Sequence, residues 1–294
     1  MHEFLRSIGF SGTLGKRQLD RLIAWVQEAP DHLSVVSHAI SDGEANLAVA
    51  ERDIAGKAGI LVAGEMDEHG KLVPEYYFPY LKSSMVSSDA YLSVEKQAAR
   101  DAYTGMCEDY RMGMALIFAV TNVADAARNL ISEPMRRNAP FKKVCFSALA
   151  SDATVILPLM QTEKVLKPNE ARAHDHLIEE AGLGDENARM ALEKEEQERY
   201  QQAIDRLRDT DIFTVVESFF MPHGMESERY YLMGKIISSE RYTNGLTNED
   251  FYVILVGVNG MPLSIAVSAK DLTGEPVNGA RLKAHVWLMG ELRR

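Results

Sequence analysis

The sequence predicts an α+β protein with an antiparallel N-terminal sheet and flanking helices, a helical connector, and a C-terminal five-stranded barrel-like β domain. Three observations predict this. Apolar residues recur with a period of two through both ends of the chain, the mark of half-buried strands. A charged stretch of helical period separates those ends. The strand candidates follow one another in hairpin order with few helices between, which favours antiparallel pairing over a parallel nucleotide-binding sheet. The expected divisions are residues 1–160 for the first domain, 161–210 for the connector, and 211–294 for a small barrel of the oligonucleotide-binding or SH3-like type.

Taken in order, "GKRQLDRLIAWVQEA" places Leu19, Leu22, Ile23 and Val26 at helical spacing and ends before Pro30. The period then becomes two in "ANLAVAERDIA", "AGILVAGEM" and "KLVPEYYFPYL". The last two are joined by "DEHG" as a hairpin. "DAYLSVEKQ", "RMGMALIFAV", "FKKVCFSAL" and "ATVILPLMQ" are further strands, the last two joined at Ala150-Ser151-Asp152. "NVADAARNLI" reads as a helix capped by Asn122. The connector holds two helices, the first with Pro168 in its opening turn and Gly182 at its end. Beyond it, five strands are expected in "IFTVVESFFMP", "RYYLMGKIISSERYT", "EDFYVILVGV", "MPLSIAVSA" and "ARLKAHVWLMGEL". Asn244-Gly245 and Asn259-Gly260 suit the turns.

Composition excludes several functions. With 294 residues, 46% of them hydrophobic and 26% charged, the chain is able to bury a sizeable core. A net charge of −11 repels nucleic-acid phosphates on average. No apolar run reaches the length of a membrane helix, and the first residues lack the apolar stretch of a signal peptide. Two cysteines, Cys107 and Cys145, are too few for a disulfide framework and read as buried thiols of a cytoplasmic protein.

Motifs for chemistry are sparse. His174 and His176 stand two apart on a helix, on different faces, and make no metal site. There is no G-x-S-x-G elbow and no phosphate-binding loop, so no cofactor is expected. For catalysis, Glu217 and His223 are the residues to inspect, because Glu217 interrupts an apolar strand and a buried carboxylate there needs a partner such as His223 or Arg229. Tyr76, Tyr77, Phe78 and Tyr80 crowd between Pro74 and Pro79, a sign of an edge strand that either covers a core or receives a protein partner. In the last strand, Ala280, Leu282, Ala284, Val286 and Leu288 share one face, and Arg281, Lys283, His285 and Trp287 the other. The second set, with Tyr231 and Lys235 on an earlier strand, has the basic and aromatic character of a ligand or single-strand nucleic-acid surface. A plain outward barrel face, with Trp287 and Met289 packed beneath a connector helix, is the preferred reading of it.

The segments "MHEFLRSIGFS", "VVESFFMPHGME" and "LTGEPVNGARLKAHVWLMGEL" together resemble an uncharacterised family of roughly 300-residue proteins from clostridial bacteria, a domain of unknown function. The resemblance runs the length of the chain, implies a bacterial, cytoplasmic protein, and carries no catalytic residues over. A non-catalytic binding or interaction protein is the expected function. The alternatives are a single-strand nucleic-acid binder through the barrel and an enzyme with an inter-domain cleft.

Overall fold

A short 3-10 helix, Glu3–Ile8, and the amphipathic helix α1, Lys16–Glu28, open the chain. Gln18 returns its side-chain oxygen to the Gly15 N–H at 2.9 Å, occupying one of the amides that a helix start leaves unpaired. The structure, a computed structural model, describes residues 2–12, 14–40, 43–97, 102–132, 141–156, 217–224 and 228–294. Met1–Leu157 and Ser218–Arg294 form one compact unit. The second unit, Pro158–Glu217, is outside the described residues except for Glu217, and so are the expected connector helices, His174 and His176.

Strands β1 His32–Ile40, β2 Gly43–Ala55, β3 Ala58–Met66 and β4 Leu72–Leu81 make a four-stranded antiparallel sheet in that order, with α1 packed against β2, β3 and β4. β4 is an edge strand, where Pro74 and Pro79 cost the ladder least. The remaining strands form a second sheet. They are β5 Tyr91–Lys96, β6 Tyr103–Glu108, β7 Leu116–Val120, β8 Lys143–Ile156, β9 Phe219–Pro222, β10 Arg229–Thr243, β11 Asp250–Val258, β12 Met261–Ser268, β13 Leu272–Thr273 and β14 Arg281–Arg293. Helix α2, Val123–Ser132, contacts β1 and β2. Asn122 precedes it but clasps β14 instead of capping an amide. Its side chain donates to the Leu292 carbonyl and accepts from the Leu292 N–H, each at 2.9 Å.

Within this sheet β8, β12, β11, β10 and β14 pair in a ring, because β14 pairs with β10 on one side and with β8 on the other. The result is the closed five-stranded barrel expected for the C-terminal part. Its fifth stave, however, is β8, which lies within residues 1–160, the part expected to form the first domain. The segment expected in that role contributes β9, which adds to β10 outside the ring.

β8 is also a single strand where two were expected. Thirteen of its residues pair with β14, and the register slips once, leaving Ser151 as an extra residue between the pairs His285–Asp152 and Val286–Ala150. This β-bulge changes the phase of the strand. Before it, Ala148 and Ala150 face inward opposite Leu288 and Val286; after it, Ala153 faces inward opposite Ala284, and Asp152 turns outward. The small residues that read as a turn are a bulge inside one strand.

Strands β1 and β6 were not anticipated. Leu33 and Val35 of β1 are exposed, so no apolar face marks it, and β6 is short with a central glycine. That glycine has a packing role. Gly105 of β6 and Gly290 of β14 flank β7 and leave room for the Phe118 ring, which is fully buried. A Cβ on Gly290 would lie 2.5 Å from that ring and 2.9 Å from Val144. Gly290→Ala should therefore destabilise the protein by about 1–3 kcal/mol through overpacking. Phe118→Leu in the same chain should recover part of that loss, so a double-mutant cycle by urea unfolding is expected to be non-additive.

Candidate functional site: an aromatic recess on the barrel wall

The barrel interior takes one face of β14, where Leu282, Ala284, Val286 and Leu288 are buried as the alternation requires. The opposite face meets solvent only in part. Trp287 is covered by His2 at 4.6 Å between ring centroids, by a near-parallel Phe4 at 5.7 Å, and edge-on by Phe78 at 5.9 Å. These rings come from the first residues of the chain and from β4.

The covering segment is anchored at several points. Ser7 donates its hydroxyl to the Ala150 carbonyl at 2.7 Å, and buried Asn244 donates to the Ile8 carbonyl at 2.8 Å. Gly9 ends the 3-10 helix at φ 88, and a Cβ there would lie 2.8 Å from Asn244 Cβ. Arg6 pairs with Asp271. The segment is thus tied to β8, to Asn244 beyond β10 and to Asp271 beyond β12.

Beside Trp287 opens a recess of about 460 Å³, walled by Phe4, Tyr76, Phe78 and Tyr103 and bordered by Glu3, Glu228 and Arg229. Tyr76 and Phe78 stack at 6.2 Å with planes 6° apart, and the Tyr77 hydroxyl at the rim accepts the His2 N–H at 3.0 Å. Glu3 and Arg229 form an ion pair, with the guanidinium 5.3 Å from the Phe4 ring centre.

Next along the same wall stands a second group. His285 Nδ1 lies 3.2 Å from Asp152 Oδ2, and its Nε2 lies 3.3 Å from His223 Nδ1. An ionised Asp152 only accepts, so a neutral His285 carries its proton on Nδ1 and accepts from His223. Tyr231 lies against His285, tilted by 35° with centroids 3.3 Å apart, and meets His223 edge-on at 4.5 Å. The bulge at Ser151 turns Asp152 outward and so makes this chain possible. Burial pushes the His285 pKa below its ordinary value; Asp152 offsets this in part, and His223 and Lys283 add to it.

The sequence candidates therefore divide. Tyr76, Tyr77, Phe78 and Trp287, read as two separate sets, meet at one recess. Tyr231, His285 and His223 meet beside it. Tyr76, Phe78 and Tyr80 are buried and face away from the free edge of β4; the Tyr80 hydroxyl donates to Asp53, and burial with that bond holds its ionisation far above the usual range. Arg281 is 5% exposed, Lys283 is half-buried, and Lys235, opposite Arg281, is exposed. Glu217 was expected to be buried and is exposed. Cys107 and Cys145 are free and buried, with burial raising both thiol pKa values. Among the described residues no cluster of three or more His, Cys, Asp or Glu has a metal-binding arrangement, and no helix is long and apolar enough to cross a membrane.

Sequence reading missed His2, Phe4, Tyr103, Glu228 and Asp152 as site residues. Only Phe4 carried a local signal, an apolar residue beside Leu5 at the start of the chain. The rest are assembled by tertiary pairing.

A closed barrel with an aromatic-walled recess on its outer wall makes this a β-rich protein with a concave surface there. The chain belongs to the family described as a domain of unknown function from an E. rectale gene description, DUF3881, whose model matches residues 5–290. No curated protein and no solved structure matches it.

The lowered pKa of His285 has a consequence for stability. Unfolded chains take up the proton near pH 6.5 while the folded protein resists it, so stability is lost as pH falls below about 6.5. Asp152, His223, Lys283 and Tyr231 face this imidazole. Urea midpoints between about pH 5 and 7.5 should fall less steeply for His285→Asn than for the wild type. Parallel curves would exclude this role.

Proposed function

We propose that the protein is a non-catalytic binding protein that takes up a small organic ligand in the recess beside Trp287. The observation that carries this reading is convergence. Phe4, Tyr76, Phe78, Tyr103 and Trp287 come from four separate segments and surround one volume of about 460 Å³. Ligand sites commonly occupy roughly 300–1,000 Å³ and combine an apolar lining with a few polar groups.

A single strand of nucleic acid along the same wall is the weaker reading. Arg281 is buried, and Phe4 and His2 already pack against the Trp287 ring on which a base would stack. An enzymatic reading built on Glu217 and His223 draws no support from an exposed Glu217. The buried free thiols and the family description support a cytoplasmic protein of a clostridial bacterium.

Tryptophan fluorescence tests the recess directly. Of the two tryptophans, Trp25 lies on α1 with the Arg52 guanidinium 3.9 Å from its ring centre and does not border the recess. In Trp25→Phe protein, compounds from a small-molecule screen should change Trp287 emission. Trp287→Ala should weaken their binding by about tenfold or more, as measured by calorimetry. Binding that survives Trp287→Ala unchanged would place the ligand elsewhere.

A further inference from the structure

We infer that the recess selects an organic cation, an ammonium or quaternary ammonium group on an apolar body. This rests on the binding reading above and adds the charge of the ligand. Among the described residues, three charged side chains border the recess: Glu3, Glu228 and Arg229. Glu3 and Arg229 neutralise each other in an ion pair, and the guanidinium is already placed over the Phe4 ring. Arg229 is thereby occupied as a receptor for an anion.

Glu228 is left over. Its backbone carbonyl accepts the Leu288 N–H at 2.8 Å, which ties it to β14, but among the described residues its carboxylate has no hydrogen bond or ion pair. Among the described residues the recess therefore carries one uncompensated negative charge beside several aromatic side chains. Ring faces attract cations through their quadrupole, and the attraction grows when water is excluded. A carboxylate beside them adds direct Coulomb attraction for a cation and repels an anion. A neutral ligand gains only the apolar contact. The protein's overall charge of −11 acts in the same direction on approach.

Full-length protein carrying Trp25→Phe, at about pH 8 so that histidines are neutral, should be titrated with benzyltrimethylammonium, benzyl alcohol and benzoate. The ammonium ion should bind about tenfold more tightly than either of the others. Glu228→Gln should remove most of that advantage and leave benzyl alcohol within about twofold of its original affinity. That variant keeps the backbone bond to Leu288, and an unchanged melting temperature checks that it folds. Equal or tighter binding of benzyl alcohol or benzoate would overturn the inference of a cation while leaving the recess as a ligand site. An ammonium preference that persists in Glu228→Gln would overturn the role of Glu228. Failure of all three probes to bind would count against the recess reading itself, and the cation with it.

Discussion

The ladder between β8 and β14 joins the middle of the chain to its last long strand along thirteen pairs, broken by one bulge. Without it β8 would be one edge of an open sheet and β14 another, each offering unpaired amides and carbonyls to solvent or to other chains. With it, five strands close on themselves and bury the inner row of every stave. β14 then has pairing left over for β7, at Met289 and Gly290, and through β7 for β6 and β5. One strand thus joins the barrel to the rest of its sheet, and its Gly290 leaves the room that the Phe118 ring fills.

The recess depends on that closure in a specific way. Trp287 and His285 stand outside because Val286 and Leu288 must be inside, and Asp152 reaches His285 because the bulge reverses the phase of β8. The first segment of the chain docks on the same wall through Ser7 to the Ala150 carbonyl, and β4 docks where the Ser147 hydroxyl donates to the Leu81 carbonyl at 2.6 Å. Phe4 and Phe78 are carried to Trp287 by these attachments. The site is a consequence of how three parts of the fold meet, each held by buried hydrogen bonds that are costly to leave unmade.

Much of the local structure was legible in the sequence because it rests on periodicity. The inner row of β14, the helix α1 and the edge character of β4 follow from spacing, proline placement and alternation alone. Two things were not legible, for physical reasons. Strand pairing between distant segments leaves no local mark, so the identity of the fifth stave could not be read from "FKKVCFSALASDATVI", and Ala-Ser-Asp looks the same in a turn as in a bulge. Side chains from different elements converge only in the folded state. Tyr76, Phe78 and Trp287 were each conspicuous, yet nothing in their neighbourhoods said that they meet, and Glu228 was not conspicuous at all.

Native-state hydrogen exchange tests the closure most directly, because it reports the free energy at which each ladder opens. The amides of β8 should exchange together with those of β10, β11, β12 and β14, at the slowest rate in the protein and with one common denaturant dependence. Exchange of β8 at a lower opening energy, separate from β14, would contradict a barrel closed by these two strands and the recess built on it.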